Sequence, residues 1–421
     1  MPRDSGLSTL ENSSPLISKK VLCRKNVFLT LVTSIVRLVL ARLSRTAFFV
    51  EGDHLAVRIG LAFNLKPEAP ANPAGANSES PSSDEPPSRA LRPDLSQPDL
   101  YAEWDEPATI NAVERALSTV GQVYRLEANS SFPARLALLR PDFVFNIAEG
   151  LYGPSREAHV PAICEFLGIP YHASDPLTCG LALHKGRAKE ILSYHGVPTA
   201  PFVVARSPAD ARRVTLPFPL FVKPAFEGSG KGVTTRSLCK NRSQLVRQVS
   251  HLLATYAEPV IIETYLPGQE FTVAILGNGE EARCLPIIGM RFDMLPKGAP
   301  PIYGYEAKWI WDTPSNPLEI YECPARISES LAQEIRAAAL GAYHALECRD
   351  WCRVDIRCDA DGRPMVVELN PLPGVLPDPR NHSCFPKAAA AAGMSYDDLI
   401  RVVADVAWRR ISGRSLLAEV A

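Results

Sequence analysis

A chain of 421 residues is long enough for two or three domains of ordinary size. It carries 45 Lys and Arg residues against 46 Asp and Glu residues, a formal net charge of -1, which argues against a nucleic-acid partner or an anionic membrane surface. Its ten cysteines show neither a disulfide framework nor a usual zinc spacing, so we expect a reduced, cytoplasmic protein whose partners are small molecules.

The first 54 residues are predicted to be an extension of the folded chain. An apolar run at 27–36 follows Arg24 and Lys25 and resembles the hydrophobic region of a signal peptide, but arginines follow closely and no cleavage site is clear. The run is too short and too charged to span a bilayer, so we expect no stable membrane insertion. Three alternatives stay open: an amphipathic helix on a membrane surface, a dispensable extension, and a start codon assigned too far upstream.

Strand and helix patterns alternate through the next part of the chain. An apolar run at 55–64 predicts a buried strand, and a helix from about Pro107 precedes strands predicted at 122–126 and 141–147. This alternation is typical of a parallel sheet. Residues from about 66 to 100 are rich in Pro, Ser, Ala, Asn, Asp and Glu, and such a composition buries too little apolar surface to fold. We expect this tract to be a disordered insertion in the domain, with a linker as the alternative.

A glycine-rich loop follows a strand predicted at 219–224. The small residues from Gly228 to Gly232 would let backbone N–H groups approach a phosphate, and Lys223 adds a positive charge at the end of the strand. The spacing matches neither the P-loop nor the dinucleotide-binding fingerprint. Taken alone, a flexible hairpin loop explains the glycines equally well, and a surface edge explains Lys223.

Two later segments have the composition of nucleotide contacts. The chain from Glu263 to Glu270 bends at Pro267, so its backbone can pair with the edge of an adenine and Glu270 can accept hydrogen bonds from ribose hydroxyls. Two exposed acids flanking a turn would explain the same residues. Lys308 lies in a Pro- and Gly-rich region, and a loop of this kind can close over a site to exclude water.

The segment 353–370 predicts a β-hairpin in which two acids face each other. Asp361 and Gly362 form a strong signal for a two-residue type I′ turn, in which both residues have positive φ. A turn at that position places Asp355 opposite Glu368. Like charges in facing positions destabilise a sheet, so this pair needs an explanation.

Alternation of side chains divides the hairpin into two faces. The polar face is predicted to carry Arg353, Asp355, Glu368 and Asn370. The apolar face is predicted to carry Val354, Ile356, Cys358, Met365, Val367 and Leu369. A Mg²⁺ ion bound by carboxylate and amide oxygens together with nucleotide phosphates would explain the acids. The alternative is a solvated face whose acids are neutralised by Arg353 and Arg357.

Taken in order, these segments resemble the ATP-grasp carboxylate–amine ligases, and among them the D-alanine–D-alanine ligases. The resemblance runs from about Val57 to Ile411 and leaves the tract at 66–100 outside. Its most specific motifs are Glu-Gly-Ser-Gly at 227–230, Glu-Thr-Tyr-Leu-Pro-Gly-Gln-Glu-Phe-Thr-Val-Ala-Ile at 263–275, Tyr-Glu-Ala-Lys at 305–308, Arg-Val-Asp at 353–355 and Glu-Leu-Asn-Pro at 368–371.

The resemblance implies ATP and two Mg²⁺ ions as cofactors, with Mn²⁺ as a substitute. The implied ATP contacts are Lys185, Lys223, Glu227, Ser229, Gly230, Lys231, Gly232, Glu263, Tyr265, Leu266, Glu270 and Lys308. Of these, Lys185 and Lys223 would hold the α- and β-phosphates, and Glu270 would bind ribose. The implied metal ligands are Asp355, Glu368 and Asn370, with Glu368 bridging the two ions. The implied catalytic residues are Arg353, Lys308 and Ser229.

The resemblance also implies the fold and the reaction. The expected fold is α/β, with an N-terminal parallel α/β domain followed by a two-lobed α+β ATP-grasp domain. The expected boundaries are an extension at 1–54, an N-terminal domain at 55–175, a central lobe at 176–263 and a C-terminal lobe with the metal site at 264–413. A carboxylate would attack the γ-phosphate of ATP, and an amine would attack the resulting acyl phosphate to give a peptide-like bond, ADP and phosphate. A homodimer fits the resemblance.

The substrate-binding motifs depart from the family pattern. In the family a glycine-rich opening after the first strand carries a Ser and a Glu that engage the first amino acid's ammonium. Here that place holds Asn-Leu-Lys-Pro-Glu at 64–68 and then the low-complexity tract, and Glu149 or Glu157 is the candidate for the same role. Gly374 and Ser383 are candidates for binding the carboxylate of the second substrate.

The nature of the acceptor stays open, because Arg380 or His382 could contact a different one. The substrates are therefore expected to be amino acids or small carboxylates, with D-alanine as one candidate. The alternative from a different class is a non-catalytic ATP-binding protein of the same fold.

Overall fold

A computed structural model of the chain describes residues 56–67, 99–304, 307, 311, 318–378 and 383–417. The extension predicted at 1–54 and most of the tract predicted at 66–100 lie outside the described residues. No helix in these described ranges is long and apolar enough to cross a membrane.

The first sheet lies at the N-terminal end of the described chain. Its strands are β1 (Arg58–Phe63), β2 (Gln122–Glu127), β3 (Phe143–Asn146) and β4 (Tyr171–His172), in the order β2-β1-β3-β4. The strands pair in parallel, which confirms the prediction from their alternation with helices. The helices between successive strands are α1 (Pro107–Leu117), α2 (Phe132–Leu139) and α3 (His159–Leu167). Strand β1 is buried on both faces, as a strand covered by helices on each side must be.

The two flanks of the predicted insertion lie side by side. The backbone N–H of Lys66 donates to the carbonyl of Asp105 (2.9 Å), and that of Asp105 donates to the carbonyl of Asn64 (3.0 Å). Asp99 and Leu100 are each 7% exposed, so the fold resumes earlier than the predicted start at about Pro107. Composition placed these two residues in the unfolded tract, but their contacts with the rest of the fold bury them. Residues 99–106 are called the strap below.

The second sheet is antiparallel and follows two helices, α4 (Pro176–Leu183) and α5 (Lys185–Tyr194). Its strands are β5 (Phe202–Ala205), β6 (Leu220–Pro224), β7 (Leu238–Cys239) and β8 (Val260–Thr264), in the order β5-β8-β6-β7. Helices α6 (Pro208–Arg213) and α7 (Arg242–Tyr256) belong to the same segment. Leu220 and Val222 pack with Leu245 and Val249 of α7, and alternation then turns Lys223 to the opposite face.

The third sheet is also antiparallel and carries the predicted hairpin. Its strands are β9 (Glu270–Leu276), β10 (Arg283–Cys284), β11 (Ile288–Met290), β12 (Tyr321–Glu322), β13 (Trp351–Cys358) and β14 (Pro364–Asn370). They are ordered β12-β11-β9-β13-β14, with β10 pairing with β9. The remaining helices are α8 (Glu329–Ala345), α9 (Cys384–Ala391) and α10 (Tyr396–Ser412). Helix α8 packs on one face of the sheet, and α9 and α10 contribute to the apolar cluster on the other.

The hairpin of β13 and β14 has the predicted register only on part of its length. Asp355 pairs with Glu368, which confirms the prediction. Nearer the turn, Ile356 pairs with Val366, so the register shifts by one residue at a β-bulge. The bulge lies directly beside the two facing carboxylates.

The turn of this hairpin is longer than the predicted type I′ pair, so that prediction was wrong. Gly362 has positive φ (82°), but Asp361 is not among the residues with positive φ in the described chain. The backbone N–H of Asp359 donates to the carbonyl of Arg363 (2.9 Å), which closes a three-residue loop. The carboxylate of Asp359 accepts backbone hydrogen bonds from Asp361 and Arg363, both 2.9 Å long, and so favours this loop.

The bulge also changes which residues face the core. Val366 is fully buried, whereas Met365 and Val367 are partly exposed, so placing those two on the apolar face was wrong. The longer turn removes one residue from the pairing and the bulge restores it, so the two errors cancel at Asp355 and Glu368. The predicted apolar residues that do join the core are Val354, Ile356, Cys358 and Leu369.

Candidate active site

The polar face of the hairpin brings the predicted metal ligands together. Oδ1 of Asp355 accepts a hydrogen bond from the Thr272 hydroxyl (2.8 Å), and Oδ2 accepts one from the amide of Asn370 (3.3 Å). Glu368 lies opposite on β14. No group of three or more His, Cys, Asp and Glu side chains suited to a metal occurs among the described residues. The two carboxylates and the amide oxygen are oxygen donors of the kind that Mg²⁺ takes together with nucleotide and water oxygens.

Arg353 lies on the same face and is ion-paired with the first of these acids. Its Nη2 lies 3.0 Å from Oδ2 of Asp355. Burial disfavours the charged guanidinium, but Asp355 and then Glu368 contribute to holding the pKa of Arg353 above its ordinary value. The residue is therefore a fixed positive charge beside the predicted metal ligands.

Three buried lysines surround two glutamates on the neighbouring elements. Oε2 of Glu368 lies 3.5 Å from Nζ of Lys185 and 3.9 Å from Nζ of Lys223. Glu263 contacts Lys189 (2.7 Å) and Lys223 (3.1 Å). Although burial favours the protonated acid, Lys185, Lys223 and Arg353 lower the pKa of Glu368 to about 2, so this carboxylate is ionised at neutral pH.

Lys189 is a residue of the candidate site to which the sequence analysis assigns no role. It is 1% exposed, and burial lowers its pKa despite the contact with Glu263. Its ammonium also donates to the Thr199 hydroxyl (2.6 Å). A signal existed, because Lys185 and Lys189 are four residues apart on α5 and so share a face of the helix.

The first turn of α5 holds Lys185 in place. His184 caps the helix by accepting a hydrogen bond from the backbone N–H of Arg187 at its Nδ1 (3.3 Å). The backbone N–H of Lys185 donates to the carbonyl of Ala225 (3.0 Å), and its Nζ donates to the carbonyl of Glu227 (2.5 Å). This lysine thus links the helix to the start of the glycine-rich loop.

The glycine-rich loop is a run of tight turns. Ser229, Gly230 and Gly232 have positive φ (52°, 75° and 70°), and the backbone N–H of Lys231 donates to the carbonyl of Gly228 (2.9 Å). Turns of this kind can aim successive backbone N–H groups at an anion. The ammonium of Lys231 instead contacts the carboxylates of Glu103 and Glu227.

Glu270, the predicted ribose contact, is paired with Arg357. The sequence analysis gave Arg357 a different partner. Arg357 donates from Nη1 to Oε2 of Glu270 (2.9 Å), and from Nη2 to the Tyr265 hydroxyl (3.2 Å) and the carbonyl of Pro301 (2.8 Å). It is 7% exposed. The sequence suggested that Arg357 neutralises the hairpin acids, whereas the structure places it against Glu270. The available signal was alternation, since residue 357 shares the polar face with 353 and 355.

The segment predicted to read adenine is held by its neighbours. The backbone N–H of Thr264 donates to the carbonyl of Pro201 (2.9 Å), and that of Tyr265 to the carbonyl of Pro219 (3.2 Å). Leu266 is buried. These bonds fix the path of the chain between β8 and β9.

A small cavity of about 20 Å³ lies between the strap and the chain that follows β14. Its lining consists of Glu103, Asp105, Ile147, Glu149, Trp351, Leu372, Pro373, Gly374 and Val375. Burial raises the pKa of Asp105 to about 7, and burial with the nearby acid Glu157 raises the pKa of Glu149 well above its ordinary value. Buried acids with raised pKa values favour a cationic partner.

Among the predicted substrate residues, one lines this cavity and another braces its wall. Gly374 lines the cavity, and Glu157 is 8% exposed with burial raising its pKa to about 7. The Ser383 hydroxyl donates to the carbonyl of Gly374 (2.8 Å) and accepts from the backbone N–H of Leu376 (3.2 Å), so it braces the cavity wall. The predictions for Lys308, Arg380 and His382 lie outside the described residues.

Comparison with known proteins identifies the family that the chain resembles. A family model described as the C-terminus of D-Ala–D-Ala ligase matches residues 191–404. A D-alanine–D-alanine ligase of Bordetella petrii is 34% identical over 299 residues, which cover 70% of this chain and 85% of that protein. The uncharacterized protein y4sG of Sinorhizobium fredii is 37% identical over 274 residues, covering 65% of this chain and 77% of that protein.

Solved structures show the same likeness. The crystal structure of D-alanine–D-alanine ligase from Bacillus anthracis has a TM-score of 0.59 at 25% identity and covers 85% of this chain and 99% of its own. The chain therefore belongs to the D-alanine–D-alanine ligase family, and it is an α/β ATP-grasp enzyme that uses ATP and Mg²⁺ to join a carboxylate to an amine of small-molecule substrates through an acyl phosphate.

Proposed function

We propose that the protein joins two amino acids and that D-alanine is the first candidate for both. The observation that carries this proposal is the acid-lined cavity between Asp105, Glu149 and Gly374, which adjoins the metal hairpin. An amino-acid ammonium bound there would be attracted to these buried carboxylates and would favour their ionised form. The name of the Bordetella petrii relative supports the choice of D-alanine.

The nucleotide would lie between the residues that the second sheet and the third sheet supply to the site. We assign Lys185 and Lys223 to the α- and β-phosphates, and the loop at 229–232 to covering the phosphates. The chain at 263–266 is assigned to adenine, and Glu270 is assigned to ribose. The buried lysines support this assignment, because they provide positive charge in a place shielded from water. The positive-φ turns of the loop support the phosphate contact.

Phosphoryl transfer requires two anions to meet, the substrate carboxylate and the γ-phosphate of ATP. Bound Mg²⁺ supplies charge neutralisation for the phosphates. Arg353 is placed beside Asp355 and Glu368, so its guanidinium can stabilise negative charge on the transferring group. Ser229 and Lys308 are assigned to the same role.

The remaining features of the enzyme are proposed on broader grounds. We assign an extension to 1–54, an N-terminal domain to 55–175, and ATP-grasp lobes to 176–263 and 264–413. The positions of the three sheets support the last three ranges. A net charge of -1 supports the absence of a nucleic-acid partner, and the reduced thiols of the cysteines in the described ranges support a cytoplasmic location. A homodimer is proposed from the resemblance.

A turnover assay tests the substrate proposal. Purified protein is incubated with ATP, Mg²⁺ and D-alanine alone, and both ADP release and the dipeptide mass are measured. Turnover with D-alanine alone is expected, since one amino acid would then fill both substrate positions. L-alanine and D-serine serve as matched controls for stereochemistry and size. Turnover only with a pair that lacks D-alanine would contradict the substrate choice.

A further inference from the structure

Five charged side chains beside the hairpin form a row in which lysines and glutamates alternate, called the charge row below. In order they are Lys189, Glu263, Lys223, Glu368 and Lys185, and the nearest nitrogen and oxygen atoms of successive members lie 2.7, 3.1, 3.9 and 3.5 Å apart. The row ends at Lys189, which has no part in the proposed function. The other four members belong to the proposed nucleotide and metal contacts.

The ammonium of Lys189 is enclosed by oxygen acceptors of the protein. Its side chain is 2% exposed. Besides Glu263, it donates to the Thr199 hydroxyl (2.6 Å) and the carbonyl of Ala200 (3.5 Å). The Thr199 hydroxyl in turn donates to the carbonyl of Val366 on β14 (2.8 Å). An ammonium has three N–H donors, and these three acceptors use them, so Lys189 acts on a ligand through Glu263 and not by direct contact.

The carboxylate of Glu263 is shared by two lysines, one on each oxygen. Oε1 contacts Lys189 and Oε2 contacts Lys223. Burial alone would raise the pKa of Glu263, but Lys189 and then Lys223 hold this pKa below its ordinary value. The group is therefore ionised at neutral pH. A buried carboxylate in this state needs a cation beside it, because an unpaired buried charge is strongly unfavourable.

The proposed nucleotide contacts would change the partners within the charge row. Lys185 and Lys223 are assigned to the phosphates, and Glu368 is assigned to the metal. Glu263 then competes with a phosphate for the ammonium of Lys223. Because Lys189 remains beside Glu263 throughout, this carboxylate keeps a counterion when Lys223 turns to the phosphate. The free energy needed to turn Lys223 is lower than it would be if Lys223 were the sole partner of Glu263.

We propose that Lys189 is a positioning residue that keeps Glu263 paired and so leaves Lys223 available to the phosphates of the nucleotide. This inference rests on the proposed contact of Lys223 with the phosphates. Lys185 and Lys189 lie four residues apart on α5, so one face of the helix supplies both a phosphate contact and the counterion of Glu263. Without Lys189, the carboxylate of Glu263 would hold Lys223 away from the nucleotide.

The ratio of the dissociation constant of adenosine to that of ADP tests this role, because the ratio isolates the contribution of the phosphates. Isothermal titration of the full-length protein with adenosine, and with ADP in the presence of Mg²⁺, gives both constants. In the Lys189→Met variant we expect the ratio to fall about tenfold, as when one hydrogen bond to a charged group is lost. A residue that only supports the fold would weaken both ligands alike and leave the ratio unchanged.

A second substitution separates the charge of Lys189 from its packing. In the double variant Lys189→Met with Glu263→Gln, no carboxylate at residue 263 competes for Lys223, so the ratio should return to within about threefold of the wild type. A packing defect at residue 189 would persist in the double variant. A ratio that stays as low as in Lys189→Met would therefore overturn the proposal.

Arg187→Met is the matched control, because Arg187 lies on the same helix but its side chain is 56% exposed and paired with Glu190 (2.6 Å). Its ratio should equal that of the wild type. If Lys189→Met fails to fold, Glu263→Gln alone provides the test. Lys223 then has no competing carboxylate at residue 263, so the ratio should be at least that of the wild type. A lower ratio would contradict the proposal.

The role of Lys189 and the proposed nucleotide site fail differently. An unchanged ratio in folded Lys189→Met protein would overturn the role of Lys189 while leaving the nucleotide site intact. A wild-type protein that binds ADP no more tightly than adenosine would overturn the proposed phosphate contacts and, with them, the role of Lys189. A wild-type protein that binds neither ligand would overturn the nucleotide site as a whole.

Discussion

At the scale of single residues, Glu368 lies between the hairpin carboxylate of Asp355 and the ammonium groups of Lys185 and Lys223. It lies opposite Asp355 across the hairpin and within 4 Å of two lysines, at 3.5 Å from Lys185 and 3.9 Å from Lys223. The proposed metal site and the proposed phosphate contacts of the two lysines both call for a carboxylate at this position. An isosteric neutral side chain would keep the packing and lose the charge.

The Glu368→Gln variant is expected to lose activity by on the order of 10²–10³-fold, because a neutral amide cannot replace an anionic metal ligand. Its melting temperature should fall, because Lys185 and Lys223 lose a carboxylate partner, so activity is compared well below the unfolding transition of the variant. Steady-state ADP release and thermal unfolding measure the two quantities. Asp361→Asn, at an exposed carboxylate of the same hairpin, is the control and should retain activity. A fully active Glu368→Gln enzyme would show that the metal assignment is wrong.

The contact between Arg357 and Glu270 leads to a separate prediction about how the enzyme binds the ribose of ATP. In Arg357→Met, the carboxylate of Glu270 loses a charged partner, so its orientation toward the ribose hydroxyls is no longer fixed. We expect the KM for ATP to rise about tenfold with a smaller effect on kcat, in line with the loss of a charged hydrogen bond.

The sugar dependence of KM distinguishes orientation from general damage. The wild type should prefer ATP to 2′,3′-dideoxy-ATP, and Arg357→Met should lose most of that preference. A preference that is unchanged in a variant with raised KM would contradict the role of Glu270 as the ribose contact.

At the scale of elements, the β-bulge in the hairpin decides which face of β14 meets the core. Val366 is fully buried beside Ile356 and Leu369, whereas its neighbour Val367 is partly exposed. A hairpin without the bulge would bury Val367 and expose Val366. Bulges beside functional sites commonly redirect side chains in this way.

A pair of alanine substitutions tests the bulge. Val366→Ala should lower the free energy of unfolding by about 2 kcal/mol, because it removes buried methyl groups and leaves a cavity. Val367→Ala should cost clearly less. Urea unfolding of both variants provides the comparison. The reverse order would indicate a regular hairpin with the register that the sequence alone predicts.

Much of the hairpin could be predicted from its residues, and the rest could not. Alternation placed Asp355 and Glu368 on one polar face, because period-two patterning is a local property of a strand. Their direct pairing was predicted correctly because the errors in turn length and in the bulge cancel. The turn type depended on hydrogen bonds that the carboxylate of Asp359 accepts from the backbone N–H groups of Asp361 and Arg363. The bulge has no local marker, since Val366 and Val367 are chemically identical and only packing distinguishes them.

At the scale of the whole molecule, the cavity under the strap carries acids that destabilise the fold at neutral pH. Burial raises the folded-state pKa of Asp105 from an ordinary value of 3.8 to about 7. Between these values the folded state binds more protons than the unfolded state. The unfolding free energy is therefore predicted to fall as pH rises through this window.

The Asp105→Asn variant should be more stable than the wild type at pH 8, with a difference that shrinks toward pH 4. Chemical unfolding at several pH values measures the difference. Asp361→Asn, whose carboxylate is 74% exposed, is the matched control and should show no such trend. An Asp105→Asn variant that loses stability at pH 8 would show that the carboxylate is ionised and favourably paired.

The sequence by itself determined the alternating strands of the first sheet, the facing acids of the hairpin and the family to which the chain belongs. Each depends on short periods or on motifs whose residues are close in the chain. Only the tertiary structure decided that Lys231 meets Glu103, 128 positions away, and that Arg357 meets Glu270, 87 positions away. The physical reason is that a charged side chain's partner is chosen by what packing brings within a few ångströms, and local patterns carry no information about that choice.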